Sequence, residues 1–161
     1  MTALEETAKN LNVNPIWLWS LIQFESNGNP AARNKISGAR GLIQFMPATA
    51  REMGYKSADE IVLKYPTFDA QLKTPVYKYL AKYAPFPTKQ SLYMAVFYPA
   101  ARKWTPETFF PAIVRQQNPG IDTVQSYINH VEKIPTKKGA GFFTTALIVA
   151  GGAFLIFKNI H

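Results

Sequence analysis

One acidic residue, Glu25, lies at the end of an apolar run and directly precedes Ser26. A carboxyl group can serve as general acid in sugar-bond cleavage when a rigid element holds it in a partly desolvated place, where its pKa rises toward neutrality. Asn14 is a favourable N-cap and Pro15 a favourable first helical residue, so a helix is predicted to begin there. Because this helix is apolar on most faces, we expect it to be buried and to deliver Glu25 into a cleft.

A second motif follows the predicted helix. Residues 27–30 read Asn-Gly-Asn-Pro, which is typical of a helix end. Residues 41–50 then read Gly-Leu-Ile-Gln-Phe-Met-Pro-Ala-Thr-Ala. The Glu25-Ser26 pair and this second run resemble, in order and separation, the first two motifs of the lytic transglycosylases of the soluble, goose-type-lysozyme-like group. The resemblance is dense over residues 16–53 and thinner from there to about residue 131.

The resemblance implies a mainly α fold, a lysozyme-like helical domain with a small irregular β element and a groove for peptidoglycan glycan strands. It implies that Glu25 acts first as acid and then as base. Ser26 and Gln44 are implied to be cleft residues that orient the carboxylate and the sugar, and Phe45 is assigned to the substrate-binding residues with them.

The later family motifs fall on aromatic residues. A typical third motif reads Ala-Tyr-Asn-Ala-Gly, whereas residues 96–100 read Val-Phe-Tyr-Pro-Ala and lack the Asn. Phe97 and Tyr98 are predicted to form an aromatic wall against which a sugar ring packs. The fourth motif, a Tyr on a late helix that reaches the catalytic Glu, is aligned with Tyr127.

The chemistry explains how one acid can be sufficient. Glycosidases that use water or form a glycosyl-enzyme usually need two carboxyl groups at a defined separation. A lytic transglycosylase instead lets the C6 hydroxyl of the substrate attack the anomeric carbon. The other acids of this chain lie in no motif, which favours the non-hydrolytic route: Glu5, Glu6, Glu52, Asp59, Glu60, Asp69, Glu107, Asp122 and Glu132. Two alternatives stay open, a muramidase that uses a distant Asp and a non-enzymatic wall-binding virion or envelope protein that keeps the fold.

Composition bounds the remaining possibilities. The 161 residues are 47% hydrophobic and contain no Cys, so one domain must be stabilised by packing without disulfides. The net charge of +8 suits an anionic polymer such as the cell wall, and a solvated basic surface explains the scattered charges equally well. We expect no specific nucleic acid partner and no cofactor, and two His residues are too few to argue a metal site.

Cap and turn signals divide the chain into short helices. A first helix is predicted from Thr2, another from Ser57 to Lys64, and a longer one over residues 68–83 with a kink at Pro75. Further helices are predicted over residues 88–97, from Thr105-Pro106, and from an Asp122 cap to about residue 133. Residues 36–45 are predicted to form a small hairpin or sheet.

After the domain, predicted to span residues 1–134, the composition changes. Residues 135–138 read as a linker, and residues 139–157 carry no charge, a length that nearly spans a hydrocarbon core as a helix. We therefore predict one C-terminal transmembrane helix within residues 139–161, with membrane lipid as partner. An additional core helix is the alternative.

The ends of the chain suggest a cellular setting. The N-terminus is acidic and lacks the apolar core of a signal peptide, and Lys133, Lys137 and Lys138 precede the predicted span, which favours a domain kept on the cytoplasmic side. Peptidoglycan is absent there. A virion internal membrane of a membrane-containing bacteriophage removes this contradiction, and the bacterial inner membrane is the alternative. Other virion or envelope membrane proteins are then expected neighbours.

Overall fold

The helix that carries Glu25 forms as the sequence predicts. In the computed structural model, which describes residues 1–133, helix α2 runs Pro15–Ser26. The Asn14 side chain accepts a hydrogen bond from the Ile16 amide at 2.9 Å, and Asn27 ends the helix in the left-handed conformation with a φ of 53°. Such a residue closes a helix sharply and turns the chain away.

The other regular elements of the described chain are short helices, so the mainly α prediction is confirmed. Besides α2 they are α1 (Ala3–Asn10), α3 (Pro47–Glu52), α4 (Ala58–Lys64), α5 (Phe68–Gln71), a π-helical turn (Leu72–Val76), α6 (Tyr77–Ala81), α7 (Lys89–Phe97), a 3₁₀ helix (Pro99–Lys103), α8 (Ala112–Gln117) and α9 (Val124–Glu132). Side-chain caps start several of them, and Thr2, Thr88 and Thr123 each form a reciprocal capping box.

The predicted kink at Pro75 is a change of helix type. Pro75 is buried inside the π-helical turn that joins α5 to α6. Proline has no N–H, and its ring clashes with the carbonyl four residues earlier in an ordinary α-helix. The wider π-helical turn accommodates the ring, so the chain continues from α5 to α6 without a break.

The predicted sheet over residues 36–45 is wrong for the described chain. Arg40 forms isolated antiparallel bridges with Arg33 and with Phe45, and no strand extends from them. Gly38 and Gly41 have φ angles of 73° and 78°. Because two left-handed residues lie so close together, the backbone turns before a ladder can lengthen. The small β element therefore consists of single bridges.

Two helix starts in the C-terminal part also differ from the prediction. Residues 105–108 form a turn, and the helix expected there begins only at Ala112. The Phe110 amide donates to the Asp122 carbonyl at 2.8 Å, so this backbone is paired with the approach to α9 and is not available for a helix. The α9 cap is Thr123, one residue after the predicted Asp122.

The core lies between α2, α7 and α9, with α1 and α6 packed around them. The Tyr79 hydroxyl donates to the Ala95 carbonyl at 2.7 Å and joins α6 to α7. The largest fully buried side chains of the core include Tyr93, Tyr127, Phe45, Phe97, Phe110, Leu18, Leu21 and Ile22. Aromatic side chains thus dominate the volume directly behind Glu25.

Within residues 1–133, no helix has both the length and the apolar character needed to cross a membrane. The predicted linker at residues 135–138 and the predicted span at residues 139–157 lie outside the described residues. So does residue 134, the predicted end of the domain.

Candidate active site

Glu25 occupies the last turn of α2 and is mostly buried, with 8% of its surface exposed. The helix backbone fixes its Cα, and Asn27 diverts the chain two residues later. The carboxyl group is therefore held on a rigid element at the edge of the core, in contact with little water. This is the placement that the sequence predicts for a general acid.

Tyr127 reaches Glu25 from α9. Its hydroxyl donates a hydrogen bond of 2.8 Å to Oε1 of Glu25, and the tyrosine is fully buried. Burial, reinforced by the negative charge of Glu25, raises the pKa of Tyr127 well above its ordinary value. Tyr127 therefore remains a hydrogen-bond donor throughout the physiological pH range. The contact expected from the fourth motif is present, and the catalytic role of Tyr127 stays a prediction.

Two phenylalanines hold the Tyr127 ring. Phe97 stacks on it with ring centroids 4.3 Å apart and planes 20° apart, and Phe24 meets its edge at 5.3 Å. Phe97 also contacts Phe110 edge-on at 5.1 Å. This packing fixes the direction of the Tyr127 hydroxyl and, through it, one oxygen of Glu25.

Ser26 joins the end of α2 to the second motif. Its hydroxyl lies 2.9 Å from the Leu42 carbonyl and 3.1 Å from the Ile22 carbonyl. A hydroxyl has one hydrogen, so these two carbonyls share it. The observed contacts of Ser26 are with backbone, and they tie the Leu42 segment to the residue next to Glu25. Its predicted contact with sugar remains untested.

Gln44 lies in a strained turn of the second motif. Its φ is 52°, its amide donates to the Gly41 carbonyl at 3.1 Å, and its side-chain Nε2 donates to the same carbonyl at 2.9 Å. Gln44 also lines a small pocket together with Met46, Thr49 and Tyr79. A side chain held this way presents a fixed polar group at the pocket, and its role in sugar binding stays a prediction.

Two predicted substrate-binding aromatics are core residues. Phe45 is 2% exposed and meets Tyr79 edge-on, and Phe97 is 1% exposed and stacked on Tyr127. Neither ring has a face left for a sugar, so the predicted contact is corrected for both. Phe97 instead supports the tyrosine that binds the acid.

Tyr98, unlike Phe97, is only half-buried. Its ring lies 5.6 Å from Trp104 and 5.8 Å from Phe110. Trp104 is half-buried as well, and the sequence reading missed it because it lies beyond the third motif. A pair of partly exposed rings is a surface on which a sugar can pack, and the predicted contact of Tyr98 with sugar stays a prediction.

The first part of the chain is similar to known proteins. Residues 2–70 match the family described as "Transglycosylase SLT domain". Residues 2–70 are therefore similar to a transglycosylase SLT domain. A protein of Enterobacteria phage PRD1 named "Transglycosylase" is 43% identical over 47 residues, which are 29% of this chain and 17% of that relative. No solved structure matches. The chain thus matches only a small part of the phage protein.

The SLT match covers Glu25, Ser26 and the second motif, and it confirms the resemblance. Phe97, Tyr98 and Tyr127 lie beyond the matched range. Their relation to Glu25 therefore rests on the geometry described above.

A buried amide directly after the matched range is a feature that the sequence reading missed. Gln71, at the end of α5, has no exposed surface and makes three hydrogen bonds to the backbone of other segments. A single Gln in a helical run carries no sequence signal, because most such residues are solvated. Only the fold reveals that this one lies behind the second motif.

The described residues contain no group of three or more His, Cys, Asp or Glu side chains arranged to hold a metal ion.

Proposed function

We propose that the chain is a lytic transglycosylase that cleaves the MurNAc-GlcNAc bond of peptidoglycan glycan strands with Glu25 as its one catalytic acid. The observation that carries the proposal is that Glu25 is the only buried carboxyl group among residues 1–133, a range that includes all ten acidic residues of the chain. The SLT match supports peptidoglycan as the substrate class.

In the proposed reaction Glu25 donates its proton to the glycosidic oxygen as the bond from that oxygen to MurNAc C1 breaks. The C6 hydroxyl oxygen of the same MurNAc then bonds to C1. The Glu25 carboxylate accepts the proton that this hydroxyl releases, so the enzyme returns to its starting state. The products are a 1,6-anhydro-MurNAc end and a GlcNAc with a free hydroxyl, and no water is consumed.

The surroundings of Glu25 suit both halves of this cycle. Burial favours the neutral acid needed for the first proton transfer. The hydrogen bond from Tyr127 favours the carboxylate that forms after it. Because Tyr127 keeps its own proton, it stabilises the carboxylate without taking part in the transfer.

Mass spectrometry of muropeptides released from purified peptidoglycan by the full chain tests the reaction. We expect anhydro ends and no incorporation of solvent oxygen when digestion runs in heavy-oxygen water. Labelled reducing ends would instead mean hydrolysis by a muramidase. Binding to peptidoglycan without any released product would favour the non-enzymatic wall-binding protein.

We propose further that residues 139–157 anchor the chain in a membrane, that of a membrane-containing phage or otherwise the bacterial inner membrane. The anchored enzyme would open the cell wall during phage entry or exit. The absence of charge from the segment supports the anchor, and the phage relative supports the setting. Each large apolar side chain buried in lipid contributes on the order of 1.5–3 kcal/mol, so association should resist salt and alkali.

Membrane extraction tests the anchor. The full chain should pellet with membranes after an alkaline wash, and Ala150→Arg should weaken insertion by about 3 kcal/mol because it places a charge at mid-span. Asn159→Arg, beyond the proposed span, is the matched control and should extract like the wild type. A full chain that stays in the supernatant without detergent would refute the anchor.

A further inference from the structure

Gln71 connects three segments of the chain through one side chain. Its Oε1 accepts a hydrogen bond from the Leu42 amide at 2.9 Å. Its Nε2 donates to the carbonyls of Pro30 at 2.7 Å and Tyr65 at 3.0 Å. Both amide hydrogens and the oxygen are thus in use in a residue with no exposed surface.

The Leu42 peptide is held from both sides. Its amide donates to Gln71, and its carbonyl lies 2.9 Å from the hydroxyl of Ser26, the residue next to Glu25. A continuous series of hydrogen bonds therefore runs from Gln71 through one backbone unit to the end of the helix that carries the acid. Displacement of Leu42 would change the spacing between the second motif and Glu25.

Gly41 fits this arrangement for a steric reason. A Cβ at this position would lie 2.7 Å from Oε1 of Gln71, closer than real Cβ contacts come, and the φ of 78° also favours glycine. The carbonyl of Gly41 accepts both hydrogen bonds of Gln44. Gln71 thus packs directly against the turn that orients Gln44.

We infer that Gln71 is a positioning residue for the proposed reaction, which fixes the 41–44 turn relative to Glu25. The inference rests on the proposed function. Gln71 does not touch the reacting groups, so it acts through Leu42 and Gly41. Because a misplacement of about 1 Å far from the chemistry can cost roughly a hundredfold in rate, a residue of this kind should affect kcat more than KM.

Gln71→Met tests the inference, since methionine has a similar length but makes none of the three hydrogen bonds. On soluble glycan strands, at a temperature where both proteins are folded, we expect kcat of the full chain to fall by roughly ten- to a hundredfold while KM changes little. The matched control is Asn118→Leu. Asn118 is 2% exposed, and its Nδ2 donates to the Val114 carbonyl at 2.8 Å at the end of α8. That variant should lose stability but keep the wild-type kcat.

A double-mutant cycle tests the mechanism. Gly41→Ala should lower kcat in the wild type, and it should lower kcat by a smaller factor in a Gln71→Ala background, where the steric conflict is absent. Gly54→Ala is the control for backbone strain, because Gly54 has a φ of 91° and no atom within 4 Å of an added Cβ. Equal factors for Gly41→Ala in both backgrounds would refute the coupling.

Amide hydrogen exchange at Leu42 separates this inference from the proposed function. The Leu42 amide should exchange faster in Gln71→Met than in the wild type, whether or not the chain is an enzyme. An active wild type with full kcat in Gln71→Met would overturn the positioning role and leave the function intact. An inactive wild type would overturn the function and, with it, the catalytic significance of Gln71, while exchange at Leu42 would still show whether Gln71 holds the turn.

Discussion

Residues 2–71 and residues 88–133 surround Glu25 by different physical means. In the first region, hydrogen bonds to backbone fix the turn beside the acid: Ser26 and Gln71 hold Leu42, and Gln44 folds onto Gly41. In the second region, ring packing between Phe97 and Tyr127 holds the tyrosine whose hydroxyl donates to Glu25.

We expect the two regions to differ in how many substitutions they tolerate. A hydrogen bond to a given carbonyl needs a particular polar atom at a particular place, so the first region should tolerate few. A packed aromatic cluster needs volume and shape, which several combinations of rings supply. The second region can therefore lose the third-motif Asn and still bring Tyr127 to 2.8 Å from Glu25.

The largest expected effect tests the first region. Glu25→Gln keeps the size of the side chain but removes the proton donor, so release of muropeptides by the full chain should fall by at least roughly two orders of magnitude. The folded structure should be retained, as checked by thermal unfolding. Glu52→Gln, an exposed carboxyl group at the end of α3, is the control and should keep full activity. A folded Glu25→Gln protein with near wild-type activity would remove the basis of the assignment.

The next effect tests whether the second region acts through packing. Phe97→Ala deletes a fully buried ring that touches Tyr127 and Phe110, and it should lower the free energy of unfolding by about 3–5 kcal/mol. Urea denaturation measures this. Phe109→Ala, at a residue that is 62% exposed, should change stability far less. Equal losses for the two variants would contradict the packing role of Phe97.

The sequence is sufficient to predict α2, its caps and Glu25, because these depend on local signals: Asn14, Pro15 and an apolar run. It does not reveal the burial of Phe45 and Phe97. An aromatic residue beside a motif looks the same whether its ring faces a groove or the core, and only tertiary packing decides between them. Gln71 escapes prediction for a related reason, since its three partners lie 6 to 41 residues away in the chain.

The two regions meet in the hydrogen bond between Tyr127 and Glu25. Tyr127→Phe keeps the stacked ring but removes the donor, so kcat should fall by roughly tenfold, as expected for loss of about 1–2 kcal/mol of charge-assisted hydrogen bonding. Because the ring packing remains, the loss of stability should be smaller than for Phe97→Ala. Kinetics and urea denaturation of the same preparation separate the two effects. Unchanged kcat would mean that the second region contributes packing alone.

The smallest effect concerns the stability of the aromatic core at high pH. Burial, with a contribution from the charge of Glu132, raises the pKa of Tyr93 on α7 to about 12 from an ordinary value of 10. Below pH 10 both the folded and the unfolded chain keep this proton. Between pH 10 and 12 only the folded chain keeps it, so stability falls as pH rises, by at most about 1.4 kcal/mol per pH unit for this group.

Tyr93→Phe lacks the group, and its stability should therefore decline less steeply over that range, as measured by urea denaturation at successive pH values. Tyr77→Phe, at an exposed position on α6, should follow the wild type. If instead Tyr93→Phe and the wild type lose stability at the same rate, folding does not raise the pKa of Tyr93, and this ring is less shielded from water than its burial in the core implies.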